Sequence, residues 1–272
     1  MSDRYCVIGN PVAHSKSPEI HAAFARQTGQ DLVYERCLAP LDGFAGSVHT
    51  LIAQGYKGAN VTVPFKLEAA ALAHTLSARA RAAGAVNTLS FTGSQILGDN
   101  TDGAGLVNDI VRNALVAVAG KRVLLLGAGG AARGVILPLL HEAPARIVIA
   151  NRTRATADQL ALRFAGHGAP VLACGFDAIE GEFDIVINAT SASLAAAMPP
   201  VPASAFGPAT LALDMMYGSE PTVFMRFAAL HGARTRDGLG MLVEQAAEAF
   251  RVWRGVRPET QALLSAMRSS RA

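Results

Sequence analysis

Aromatic side chains, cysteines and long apolar runs are all scarce in this chain. Aromatics make up 6% of its 272 residues, against 26 glycines and abundant alanine. Small residues favour close helix–sheet packing and argue against an all-β design. Cys6, Cys37 and Cys174 are odd in number, far apart in sequence and outside any metal-ligand spacing. They read as reduced, mostly buried thiols of a cytoplasmic protein. The seven histidines form no H-x-x-x-H pair, so no metal site is expected. No apolar stretch approaches the roughly 20 residues of a membrane helix. Asp3 and Arg4 come at once and the apolar run after them is short, so no signal peptide is read. The net charge of +3 comes without a polybasic run. Nucleic acid and membrane are therefore not expected partners.

What is present is a generous core, with 51% hydrophobic residues, and a length that suits two domains. The first hundred residues alternate strand-like and helix-like stretches. "RYCVIG" reads as a strand, and "SPEIHAAFARQTG" as a helix with Ser17 as N-cap, Pro18 at N1 and Gly29 as stop. "LVYERC" and "ANVTV" are strands around the helix "LDGFAGSVHTLIAQG", and "AVNTLSF" and "QILGDN" read as a hairpin about "TGS". A helix is predicted from near Asp102 toward Val118. Strands separated by helices imply parallel pairing. A second unit opens at "GKRVLLLGAGGAARGVILPLLHE", with Val123 to Gly127 as a fully apolar strand. "ARIVIANRT", "EFDIVINAT" and "ATLALDMMY" are further strands; "TADQLALRFAG", "GLGMLVEQAAEAFRVWRG" and "PETQALLSAMRSS" are helices. "SLAAAMPPVPASAFGP" reads as a loop. The order of elements gives an α/β fold class, with one α/β unit followed by a second.

"GAGGAA" satisfies G-x-G-x-x-G/A through Gly127, Gly129 and Ala132. The first glycine makes the turn, the second admits a pyrophosphate, and the alanine lets helix and strand pack closely. Gly127, Ala128, Gly129, Gly130 and Ala131 thus form a phosphate cradle at a helix N-terminus, whose N–H groups and dipole favour anions. The motif follows a strand and opens a helix, the context that gives it weight. The next strand chooses the cofactor. NAD enzymes carry Asp or Glu at its end for the ribose 2′-hydroxyl. No acid stands between Glu142 and Asp158; Asn151, Arg152, Thr153 and Arg154 occupy the place. A guanidinium grips a 2′-phosphate that a carboxylate would repel, so the cofactor reads as NADP.

In "ANVTVPFK", Pro64 stops a strand and Lys66 stands just beyond it, where α/β proteins keep their ligands. Asn60 and Thr62 share one face of that strand. Asn87, within apolar "AVNTL", is either a satisfied core amide or a ligand for hydroxyls. Asp102 in "NTDG" suits a helix N-cap as well as a catalytic carboxylate. Gln245 lies on an amphipathic helix whose polar face could hold it without any further role.

Taken together, "GNPVAHSKSPEIH", "GANVTVPFK", "GAVNTL", "GDNTDG", "LLGAGGAARG", "ANRT", "INATS" and "DGLGMLVEQAAEAF" resemble, in order, the signature segments of the shikimate dehydrogenase family. The resemblance implies NADPH-dependent reduction of 3-dehydroshikimate to shikimate, on the route to aromatic amino acids. It implies an N-terminal α/β substrate-binding and catalytic domain over 1–102 and 240–272, and a doubly wound, Rossmann-type NADP-binding domain over 103–239. Lys66 and Asp102 would be the catalytic pair. Ser15 and Ser17 would hold the substrate carboxylate, and Thr62, Lys66, Asn87, Asp102, Tyr217 and Gln245 would face the rest of the substrate. Thr190, Gly238 and Met241 would join the cofactor contacts. A small-molecule substrate is then the expected partner, with monomer and homodimer both open.

Two positions depart from the family pattern. Ser193 replaces the glycine of Asn-Ala-Thr-Ser-x-Gly, and Ser219 stands where a proline is common after Tyr217, although Thr222 fits. His14 lies beside the proposed carboxylate loop without an evident role. Two other readings compete with the expected one. One is a broad quinate/shikimate dehydrogenase; the other is a non-catalytic sensor of NADP or a pathway acid. A sensor has no need for both Lys66 and Asp102.

Overall fold

The computed structural model describes residues 2–190, 192 and 197–270. The chain forms two compact units, Met1–Gly105 with Val243–Ala272, and Leu106–Leu242. In the first unit β1 (Asp3–Gly9), α1 (Ser17–Thr28), β2 (Leu32–Leu38), α2 (Phe44–Ala53) and β3 (Tyr56–Val61) are followed by α3 (Lys66–Leu72), β4 (Thr75–Leu76) and α4 (Ala78–Ala83). The hairpin β5 (Thr88–Thr92) and β6 (Gln95–Asp99) then leads into α5 (Asp102–Asn108). Among the described residues these strands form one sheet in the order β2-β1-β3-β5-β6-β4.

The pairing is parallel from β2 to β3 and antiparallel in the β5–β6 hairpin, both as expected, and β5 also runs antiparallel to β3. The expected parallel pairing of strands separated by helices is corrected between β3 and β5, because the chain re-enters the sheet from α4 beside β3 in the opposite sense. That reversal matters for the site. It sets Asn60 against Thr88, and Thr88 against Asp99, so the end of β3, the start of β5 and the end of β6 coincide. One sheet face buries Phe44, Phe65, Val48 and Leu89, with the two phenylalanine rings stacked at 4.9 Å. The other face carries Tyr5, Val7 and Tyr34 and is covered by Trp253, stacked on Tyr5 at 4.6 Å.

Three element ends differ from expectation. Lys16, not Ser17, occupies the N-cap of α1, leaving Ser17 inside the first turn, while Ser15 Oγ accepts the Ser17 N–H at 3.3 Å. β3 stops at Val61, since the Thr62 carbonyl is turned to accept the Phe65 N–H at 3.1 Å. The helix from Asp102 becomes a π-helical turn at Asp109–Asn113 and does not reach Val118. There the Ala114 N–H bonds the Asp109 carbonyl five residues back.

The second unit contains β7 (Arg122–Leu126), α6 (Gly130–His141), β8 (Arg146–Ala150), α7 (Arg154–Arg163), β9 (Val171–Cys174), β10 (Ile185–Asn188), β11 (Leu211–Asp214), α8 (Val223–Leu230) and β12 (Arg234–Arg236). Its sheet runs β12-β11-β10-β7-β8-β9, parallel throughout. This is the doubly wound order, with the switch point between β7 and β10. α9 (Leu239–Arg254) carries the chain back to the first unit, where α10 (Gln261–Ser269) ends the described secondary structure. No helix among the described residues is long and apolar enough to cross a membrane.

Under the start of α9, fully buried Asp109 accepts both arms of Arg236, at 2.8 and 2.5 Å. A Cβ on Gly240 would overlap the same carboxylate. Gly→Ala in a helix ordinarily gains up to about 1 kcal/mol. Here the sign should reverse: Gly240→Ala is expected to cost about 1–3 kcal/mol by overpacking, read as a lower urea midpoint.

Candidate active site

The coincidence of strand ends in the first unit builds a polar cluster around Asp102. Lys66, the first residue of α3, places Nζ 2.5 Å from Asp102 Oδ2, and the Asn87 amide donates to Asp102 Oδ1 at 2.8 Å. The side chains are 18% and 6% exposed for Lys66 and Asp102, so the ion pair is shielded yet its lysine can be reached. Asp102 is not spent as a cap on its own helix. Its backbone N–H is taken by Asn100 Oδ1 at 3.1 Å, leaving the carboxylate for Lys66 and Asn87. Asn87 proves to be both a satisfied amide and a member of the cluster. Its oxygen accepts the Thr101 N–H and the Thr88 hydroxyl, each at 2.8 Å, which fixes its nitrogen toward Asp102. Gln245 of α9 joins from the C-terminal segment, its Oε1 3.3 Å from Asn87 Nδ2 and 3.4 Å from Thr101 Oγ1.

The Ser15–Ser17 loop is held by Arg36, which donates twice to the Ser15 carbonyl, at 2.6 and 3.1 Å. The Ser15 hydroxyl lies 3.2 Å from that of Ser17. Beneath them the Tyr34 phenol donates to Asn60 Oδ1 at 2.7 Å, and Asn60 Nδ2 reaches Thr88 Oγ1 at 3.1 Å. A continuous line of polar groups thus joins Asn60 to the Asp102 cluster. Burial pushes the Tyr34 phenol up, with the Ser17 hydroxyl opposing. His21 stacks flat on that ring at 4.1 Å, and burial drives its imidazole down to about 3, so it stays neutral. Thr62 packs on Gly9 at the root of the loop and keeps a backbone bond to Ile8 at 3.0 Å. It lies one residue past the end of β3. His14 is exposed on the loop.

In the second unit, Gly127 ends β7 with φ +101°, a conformation a side chain would strain, and a Cβ there would crowd Thr190 and Ala189 after β10. A Cβ on Gly129, by contrast, would meet nothing within 4 Å. The loop is therefore open in front of the α6 N-terminus, and fully buried Ala132 packs behind it. Past β8, Asn151 Nδ2 bonds the Thr153 carbonyl at 3.0 Å, Arg152 is exposed, and Arg154 leans back to Asp158 at 3.6 Å. An open glycine cradle with arginines at the neighbouring strand end fits a phosphorylated dinucleotide. Gly238 donates its N–H to Met216 at 2.9 Å, next to the half-buried Tyr217, and Met241 is buried. Thr222 caps α8 by accepting the Met225 N–H at 3.2 Å, which explains its place beyond Ser219. Ser193 lies outside the described residues.

Residues 7–89 match the family model of the shikimate dehydrogenase substrate binding domain, 109–198 that of shikimate / quinate 5-dehydrogenase, and 238–268 that of the shikimate 5'-dehydrogenase C-terminal domain. The chain belongs to the shikimate dehydrogenase family. A relative from Herminiimonas arsenicoxydans, shikimate dehydrogenase (NADP(+)), is 66% identical over 99% of this chain and 98% of its own. Among solved structures, an Ael1 enzyme from Pseudomonas putida is 48% identical with a TM-score of 0.91, covering 97% of this chain and 98% of its own. Shikimate dehydrogenase from Thermus thermophilus, in complex with NADP(H) and shikimate, is 32% identical with a TM-score of 0.86, covering 98% of this chain and 99% of its own.

Within this family member, several polar residues of the cluster carry no sequence signal of their own. Thr101 and Asn100 sit inside the recognised "GDNTDG" segment, where only the acid stands out. Tyr34 reads as an ordinary strand aromatic. Arg79, on the short α4, looks like any surface arginine. The cysteines also need correcting, since only Cys6 is buried. Cys37 and Cys174 lie on the edge strands β2 and β9, which the sheet covers on one side only. Cys6 and Cys37, distant in sequence, come together on neighbouring strands: the Cys6 thiol donates to Cys37, lowering the Cys37 pKa and raising its own. Burial raises Cys174. Because the thiolate is the reactive form, iodoacetamide near neutral pH is expected to label Cys37 first; peptide mapping that finds Cys174 first would contradict this.

Proposed function

We propose that this chain reduces 3-dehydroshikimate to shikimate with NADPH, and runs the reverse oxidation, through the Lys66–Asp102 pair. The first unit takes the substrate, with Ser15 and Ser17 on its carboxylate and Thr62, Asn87 and Gln245 around its ring hydroxyls and ketone, and Tyr217 is a further proposed substrate contact. Gly127–Ala131, Asn151–Arg154, Thr190, Gly238 and Met241 hold the cofactor, which supplies the hydride. Lys66 does the rest of the chemistry. As hydride reaches the carbonyl carbon, the oxygen gains charge and Lys66 Nζ donates a proton to it, leaving a neutral amine that solvent reprotonates. In the oxidative direction the neutral amine accepts the hydroxyl proton. Asp102 holds the ammonium in place and Asn87 fixes Asp102. The observation that carries this reading is the shielded 2.5 Å contact between Lys66 and Asp102 beside two amides.

We assign the reaction to the cytoplasm, where adjacent free thiols such as Cys6 and Cys37 stay reduced. A spectrophotometric assay tests the function directly. Shikimate with NADP is expected to turn over, and much faster than shikimate with NAD. No turnover with either cofactor would support a sensor, and equal turnover of quinate would support the broad enzyme named by the central family model.

A further inference from the structure

We propose that Arg79 is a positioning residue for the reaction: it ties the turn that presents Asp102 to the helix that presents Gln245. The proposal rests on the reading of those two residues as substrate-facing. Ser77 caps α4, accepting the Ala80 N–H at 3.2 Å, and so sets Arg79 in the helix's first turn, beside the end of β6. From there the guanidinium forks onto Asp99, with Nε to Oδ1 and Nη2 to Oδ2 both at 2.7 Å. Its remaining arm, Nη1, reaches Glu248 Oε1 of α9 at 2.8 Å. Such a planar three-donor fork is a geometry that lysine cannot reproduce.

Both ends of this clamp lead to the site within a few residues. Asp99 Oδ1 also takes the Ser77 hydroxyl at 2.5 Å and the Asn100 N–H at 2.7 Å, and the Asn100 side chain in turn holds the Asp102 N–H. The Asp99 carbonyl accepts the Asn87 N–H at 3.0 Å. Glu248 lies one helical turn beyond Gln245. Gln245 meets Asn87 and Thr101 at 3.3 and 3.4 Å, long for hydrogen bonds, so its reach is sensitive to where α9 is anchored. Arg251 and Arg257 hold Glu248 from within the same C-terminal segment, whereas Arg79 reaches it from α4.

The clamp is sheltered, with side-chain exposures of 25% for Arg79, 15% for Asp99 and 7% for Glu248. Burial opposes the charge of Arg79, but Asp99 and Glu248 outweigh it and raise the pKa above the ordinary value. Burial likewise opposes the charges of Asp99 and Glu248. Arg79 on Asp99, and Arg251 with Arg79 on Glu248, outweigh it and lower both. All three stay ionised, and the tie is electrostatic as well as geometric.

A double-mutant cycle tests this in the full chain, with Arg79→Lys, Gln245→Ala and the double variant. Each single change is expected to lower kcat/KM for shikimate about tenfold, mainly through KM, with the double no more than about twofold worse than the worse single, as for residues acting as one unit. The dissociation constant for NADP, read by fluorescence titration, should stay within about twofold and so report an intact second unit. Multiplying losses, or an unchanged KM in Arg79→Lys, would overturn the proposal. If Arg79→Lys does not fold, Glu248→Gln removes the charge at the α9 end of the clamp, which Arg251 and Arg257 also contact, and carries the same cycle with the same expected outcome. Should Gln245→Ala alone leave shikimate kinetics untouched, the reading of Gln245 falls, and the proposal with it.

Discussion

Lys66→Ala is expected to lower turnover by about 10²–10⁴-fold, the usual worth of a positioned general acid–base group. The loss should fall on kcat more than on KM, because the proton is needed only as charge develops on the substrate oxygen. Some rise in KM is expected too, since the proposed role sets the ammonium against the substrate oxygen. Affinity for NADP should stay near wild type, because the glycine cradle and its arginines belong to the other unit. Asp102→Asn should also be severe: an amide can hydrogen-bond but cannot balance an ammonium 2.5 Å away. The two losses should not multiply. Residues that act as a pair lose most of their value when either goes, so the double variant should be little worse than the worse single one. Steady-state kinetics with shikimate and NADP decide the matter. A Lys66→Ala enzyme that keeps its kcat and loses only KM would make the lysine a binding group, with the proton coming from elsewhere.

Arg152→Ala is expected to weaken NADP binding by about one to two orders of magnitude, since a hydrogen bond to a charged group is worth about 1.5–3 kcal/mol. NAD kinetics should hardly change, because NAD lacks the phosphate. Arg154 should matter less. Its guanidinium already leans on Asp158 at 3.6 Å, and using it for the phosphate means giving up part of that contact. Arg154→Ala is therefore expected to cost several-fold less affinity than Arg152→Ala. Equal losses of NADP and NAD affinity in Arg152→Ala would mean that the arginine supports the loop and not the phosphate.

How far the chain could be read without coordinates varies from element to element. Long periodic stretches such as α1, α2, α6 and α9 were legible, as was the β5–β6 hairpin, because each announces itself within a dozen residues. β4, β9 and β12 were not. They are two to four residues long and lie at sheet edges, and β12 is the polar triplet Arg234–Arg236, with none of the alternation that marks a strand. The α5 helix was read too long because Asp109, which begins its π-helical turn, is held by Arg236, a partner 127 residues away.

The candidate site divides along the same physical line. The glycine-rich loop is a local object: a left-handed glycine, a small residue behind it, a helix N-terminus and a nearby pair of arginines all follow from short-range backbone geometry and charge. Sequence alone therefore determined the glycine-rich turn, the helix it opens and NADP as the cofactor. The meeting of Lys66 with Asp102 is different. They stand 36 residues apart, and nothing in either segment specifies that β5 returns antiparallel to β3 and so brings "VPFK" and "NTDG" to one edge. The same strands in another order would keep every local signal and separate the two. Tertiary structure decided that contact, along with the fixed direction of the Asn87 amide and the tie through Arg79. Each depends on which side chains sheet order and helix docking bring within hydrogen-bond reach.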